Sequence, residues 1–207
     1  MRNLFNLVGS AVKRCRIYVL TIFLTYCISC FIGIVMSQNG NSFALAYGDK
    51  MVGRAMETDQ ASINYQKGNR FSAALIDFGG NLFLGAVPQT LMGLGVVIPY
   101  FTVSVQGWIG GIVSVDSEHK SRFKNFKSTF YYFFVLLLQY IPYSLAIGAG
   151  IKCGIDFYNN NKKMNSLLIW KYRIPKTSLI DLGLVYILVV PLFFIASCFE
   201  FISTWNI

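Results

Sequence analysis

An all-α bundle of about five membrane-spanning helices is the fold class this sequence predicts, on three observations. Of its 207 residues 55% are hydrophobic and only 13% charged, where a soluble domain carries roughly 25% charged residues. The mean hydropathy is +0.52, too apolar for one soluble domain of this length. The charges avoid the long apolar runs and collect between them, as in the loops that flank a bilayer.

The first span is 17–36, a charge-free run behind Lys13, Arg14 and Arg16. At 1.5 Å per residue it crosses a hydrocarbon core of about 30 Å. It is longer than the apolar core of a signal peptide, so it is expected to stay as an anchor. Residues 37–70 make a polar insert in which Leu45, Val52, Met56 and Ile63 recur at helical spacing. That pattern reads as an amphipathic helix, either on the membrane surface or packed on neighbouring spans.

From 71 to 115 the single charge is Asp77. This stretch is read as two spans, 72–93 and 97–115, with a tight turn between them running from Gly93 and Gly95 to Pro99. A charged loop follows at 116–128, then a span at 129–151 containing Pro142. A second basic segment, 152–178, includes Leu167-Leu-Ile-Trp170, an apolar stretch suited to the interface, and the last span is 179–201. All of this forms a single membrane domain. With five spans, ten Lys and Arg fall on the N-terminal side and eight on the other, which favours a cytoplasmic N-terminus. A single crossing by 71–115 reverses that count, eight against ten, and puts the C-terminus on the same side as the N-terminus.

Polar residues inside apolar runs are the natural functional candidates, because hydrocarbon makes them costly. Asp77, Asn81, Gly85 and Gln89 follow at i, i+4 along one side of the second span. Thr102, Gln106 and Gly110 form a similar stripe on the third span, and Gln139 with Tyr143 on the fourth. Facing one another, these groups line a polar path or simply hydrogen-bond between helices. Small-residue pairs, Ser29 with Gly33, Gly107 with Gly111 and Gly150 with Gly154, mark close helix packing within a compact bundle or against other subunits.

Several chemistries are excluded by absence. The net charge of +9 comes from membrane-flanking loops, and the aromatics sit in or beside apolar runs, so nucleic acid is not an expected partner. Cys27 and Cys30 form a C-x-x-C with no second pair and no nearby His, so neither metal nor cofactor is expected. The only His, His119, lies in a charged loop, and the chain has no H-E-x-x-H, G-x-S-x-G or P-loop. An intramembrane aspartyl protease would have to use Asp77 and Asp181, both near span ends. No enzyme is predicted.

The block Phe78-Gly-Gly-Asn-Leu-Phe-Leu-Gly85, then Gly93-Leu-Gly95, Pro99 and Gln106-Gly-Trp-Ile-Gly-Gly111 resembles the stage II sporulation protein M family of membrane proteins. Asn81 matches an Asn near the start of a span. Gln106, Gly107 and Gly111 stand where that family has an Asn-Gly-x-x-x-Gly element. A second similar segment runs from Ile141 and Pro142 through Gly150 to Gly154, and the resemblance covers roughly 17–154. The His-Gly and Glu that commonly precede the Pro are replaced by Leu136 and by Gln139 or Tyr140. The resemblance implies a non-enzymatic subunit in the bilayer, assembled with other membrane proteins or with further copies of itself. Its context would be an exporter driven by a separate ATPase, or an envelope-remodelling complex. The alternatives are a small transporter using the Asp77, Asn81 and Gln89 face, and a bacteriocin immunity protein.

Overall fold

The computed structural model describes residues 2–123, 125–162 and 173–203. The 167–170 stretch, Lys124, Lys163, Lys171 and Trp205 lie outside them. The described residues are helical except for turns, with one isolated bridge between Val115 and Ser121.

Helix α1 spans Arg2–Gln38 and starts well before the apolar run, because nothing in its basic N-terminal portion breaks a helix. It stops at Gly40, whose φ of 75° suits a residue without a Cβ. Asn41 then caps α2 (Ser42–Thr58), its side chain accepting from the amide of Ala44 at 3.0 Å. Asp59 ends α2 and caps α3 (Gln60–Gln66), accepting from Ser62 at 2.8 Å. The polar insert is thus two helices, cut where a capping Asp competes with helix continuation. The face that α2 buries is Ala44 and Gly48, while Met56 is exposed. This differs from the expected Leu45–Val52–Met56 face because only small residues let α2 approach the carbonyl of Ile112.

The next crossing runs from Arg70 to Gly95 in pieces: α4 (Arg70–Gly79), a π-helical segment Gly80–Ala86, α5 (Val87–Met92) and a 3-10 turn Gly93–Gly95. Pro88 explains the wide turn. Its ring clashes with the carbonyl four residues back and it has no N–H to give, and the amide of Val87 reaches back to the Leu82 carbonyl. The chain reverses at Val96, φ 55°, into α6 (Ile98–Ile112), which has Pro99 in its first turn.

A charged loop leads to α7 (Phe126–Asn161), capped by Asn125 and running through Pro142 without a break. Lys152, expected in a loop, therefore belongs to the last turns of α7 and pairs with Asp156. Finally α8 spans Lys176–Ile202.

Among the described residues four helical stretches are long and apolar enough to cross a bilayer: Leu4–Gln38, Arg70–Gly95, Phe126–Asn161 and Lys176–Ile202. The chain is a multi-pass membrane protein. Helix α6, with 15 residues, is about 22 Å long and falls short of that length.

Contacts fix the helix directions. Thr21 bonds Tyr100 at 2.7 Å and Tyr26 bonds Gln106 at 2.8 Å, so α1 and α6 run parallel. Gly148 lies on Val19 and the Tyr140 ring on Tyr26, so α7 opposes α1. Asn81 with Tyr143 and Thr90 with Gly150 set α4–α5 parallel to α7. Arg14 with Asp181 and Ser197 with Asp77 set α8 parallel to α1 and opposed to α4.

Small residues close these seams. A Cβ at Gly107 would stand 2.6 Å from the Tyr26 carbonyl, and one at Gly111 would strike the backbone of Cys30. Gly33 reciprocates against Trp108 and Ile112, while Gly150 and Gly154 seat the Thr90–Leu94 backbone. Around these contacts lie two cores, one centred on Ala11, Ala86, Val189 and Phe193 and the other on Ile22, Tyr26, Val103 and Ile147.

Candidate functional site

The polar groups predicted inside the bundle separate into nodes. In the first, Asp77 of α4 accepts hydrogen bonds from Asn81 at 2.9 Å and from Ser197 of α8 at 2.6 Å. The Asn81 carbonyl oxygen in turn accepts from Tyr143 of α7 at 2.8 Å. Three helices thus meet on one carboxylate and one amide. Gly85, a turn further along, leaves room for the Tyr143 ring, which a Cβ would strike.

Beside this node Gln139 of α7 donates to Glu200 of α8. Glu200 lies about one turn beyond Ser197 on the same helix. It lines a half-open cavity of about 160 Å³ with Gln139, Phe123, Tyr131 and Tyr132. Among the described residues neither Asp77 nor Glu200 makes an ion pair. An amide and a hydroxyl hold Asp77 and an amide holds Glu200, and such donors suit a carboxyl in either protonation state.

A second node joins α1 to α6. The hydroxyl of Tyr26 donates to Gln106, and its ring stacks on Tyr140 at 4.3 Å and lies tilted 6.3 Å from that of Tyr143. Aromatic contact, not a chain of hydrogen bonds, connects the two nodes. Gln89 is in neither: it is buried with its Oε1 unpartnered, beyond the π-helical segment that rotates α5 relative to α4. The neighbouring Thr90 and Tyr186 hydroxyls bond at 2.8 Å.

At the opposite end of the bundle Arg14 pairs with Asp181, its Nε donating at 2.6 Å, and Asp156 takes Lys152 and the Ser178 hydroxyl. Asp181 and Ser197 share one helix some 24 Å apart along its axis. Asp77, bonded to Ser197, therefore cannot form a catalytic dyad with Asp181. Among the described residues no three His, Cys, Asp or Glu converge on a metal position, and all five cysteines are free thiols.

Glu200, which with Asp181 is one of two charges within 179–201, is not among the residues expected to matter. The rule that selects Asp77, an ionisable residue inside an apolar run, selects Glu200 equally. In comparisons with known proteins the chain matches no family model, no curated protein and no solved structure.

Proposed function

We propose that this chain is a non-catalytic membrane subunit of the kind found in the stage II sporulation protein M family. In this reading it works in the cell membrane within a larger assembly, either an exporter for peptides driven by a separate ATPase or an envelope-remodelling complex. The observation that carries it is the mutual locking of the helices. Glycines seat backbone on backbone along α1–α6 and α5–α7, and Asp77 is committed to Asn81 and Ser197. A bundle fixed in this way suits a scaffold better than a moving gate. Gln139 stands near the position where the resembled family has a Glu, and Glu200 of α8 brings a carboxylate to it.

In the same reading α6 is a fifth crossing. Helix α5 ends beside Gly150 and Gly154 at the Arg14 end, whereas α7 begins at the other end, where Arg122 of the preceding loop bonds Asp49 of α2. Only α6 lies between them to make the return. The N-terminus is then cytoplasmic, on the side with ten Lys and Arg against eight.

Purification from native membranes in mild detergent tests the subunit role. Co-recovery of an ATPase or an envelope enzyme is expected, and recovery of the chain alone would overturn it. A second reading, a small transporter, draws on the cavity beside Glu200. It requires solute flux in liposomes that Asp77→Asn abolishes.

A further inference from the structure

The outer seam between α1 and α7 opens into a groove of about 510 Å³, within the 300–1,000 Å³ typical of sites for small ligands. Its walls include Val12, Ile17, Leu20 and Phe23 of α1 with Ile141 and Leu145 of α7, and Arg16 lines it one turn in from Val12. Ile17, Leu20 and Ile141 are exposed, so the groove faces outward, where a membrane protein meets lipid.

Three features say what fills it. The first is charge. Arg14 is taken by Asp181, but Arg16, two positions on, is exposed and has no hydrogen-bond or ion-pair partner among the described residues. The second is depth. Inward of Arg16 the groove follows α1 to Phe23 for about 10 Å, and Ile141 carries it roughly one turn further. That total, about 15 Å, is half of a 30 Å hydrocarbon core, or one leaflet.

The third feature is closure. Past Phe23 the seam is filled by Tyr26 stacked on Tyr140, both buried. Beyond that plug a smaller cleft of about 200 Å³, walled by Cys27, Phe31 and Leu137 among others, has no charged residue in its lining.

We propose that the groove is a binding site for one phospholipid with an anionic headgroup. The acyl chain lies between α1 and α7 as far as the tyrosine plug, and Arg16 holds the phosphate. The aliphatic stem of Arg16 covers apolar wall while its guanidinium reaches to headgroup level, where it forms charge-assisted hydrogen bonds to phosphate oxygens. A zwitterionic lipid offers the same chain but sets its own cation beside Arg16, so the site discriminates by headgroup. A partner helix would have to cross both clefts and would leave the guanidinium unpaired. This inference rests on the membrane fold and is independent of the subunit role.

Native mass spectrometry of the full chain, released from micelles with equal phosphatidylglycerol and phosphatidylcholine, tests it. One phosphatidylglycerol should be retained in about tenfold preference, a difference of about 1.4 kcal/mol. Arg16→Gln should abolish the preference without shifting the lipid-free melting temperature. Lys13→Gln, which removes an exposed cation outside the groove lining, should leave the preference intact. Equal retention of the two lipids by the wild type overturns the proposal. So does a preference that survives Arg16→Gln, or one lost equally in Lys13→Gln, which reveals a diffuse basic belt. A co-purifying protein chain cross-linked through both clefts, with no retained lipid, also overturns it.

Discussion

Ser197 of α8 donates a 2.6 Å hydrogen bond to Asp77 of α4, so two antiparallel helices close on a carboxylate that has no cation beside it among the described residues. The Asn81 amide completes the arrangement at 2.9 Å. Removing the acceptor strands two donors inside the bundle. Asp77→Ala should therefore lower stability by about 1–3 kcal/mol. Asp77→Asn keeps an acceptor for Ser197 and should cost under about 1 kcal/mol, near the 0.6 kcal/mol average of interhelical hydrogen bonds in membranes. Unfolding in mixed micelles of increasing denaturing detergent measures both. Equal stability of the Ala variant and the wild type would show that the node contributes nothing.

Some glycines meet the backbone of a neighbouring helix, and others have nothing near them. A Cβ at Gly107 meets the Tyr26 carbonyl at 2.6 Å, and neither helix can yield without opening the α1–α6 seam. Gly107→Ala and Gly111→Ala should each destabilise by about 1–3 kcal/mol, the usual cost of overpacking. On α2 nothing lies within 4 Å of a Cβ at Gly53. Gly53→Ala should there stabilise by up to about 1 kcal/mol through helix propensity alone. Thermal melting of the three variants in one detergent gives opposite signs if the packing is as described.

How much of this is legible beforehand depends on what each feature rests on. The spans at 17–36 and 129–151 are legible because an uncharged run of bilayer length has few alternatives, and 179–201 because its two charges, Asp181 and Glu200, stand near its ends. Asp77, Asn81 and Tyr143 can each be picked out as polar residues in such runs, yet their meeting depends on how three helices are rotated. That rotation is set in part by Pro88 and the π-helical turn before it, which also carries Gln89 away from Asp77. Ser197 gives no signal, since a lone Ser in an apolar helix is ordinary. The break between α2 and α3 is local chemistry, and the capping preference of Asp59 makes it readable once a cap is sought.

Arg14 and Asp181 tie the start of α8 to α1 at the opposite end from Asp77. The Arg14 side chain is 48% exposed, so solvent screens much of the attraction, and the pair is expected to contribute about 1 kcal/mol or less. Arg14→Ala should thus have a small effect that shrinks further above roughly 0.5 M salt. The exchange Arg14→Asp with Asp181→Arg should recover most of the loss that either single reversal produces. Detergent-unfolding midpoints at two ionic strengths, for the four proteins of this cycle, decide it.

The helix directions make a sharper prediction about membrane sidedness. Arg122, in the loop before α7, donates to Asp49 of α2 at 2.7 Å, and a Cβ on Gly40 would touch the His119 ring. The α2–α3 region and the loop residues His119 and Arg122 therefore share one end of the bundle, while Arg14, Lys152 and Asp181 share the other. If α6 crosses, single-cysteine variants at Gly53 and Glu118, made in a chain without its native cysteines, should react with the same impermeant maleimide in intact cells. A cysteine at Thr177 should react only after the membrane is opened. The physical reason is parity: α1, α6 and α8 run one way and α4–α5 and α7 the other, so the chain alternates faces at every turn only when α6 is counted. With α6 at about 22 Å, the bilayer must thin locally or the flanking residues must reach the interface, at a cost of fractions of a kcal/mol per Å. Labelling of Gly53 and Glu118 from opposite sides would show that α6 is re-entrant and would move the C-terminus to the face that holds Arg14.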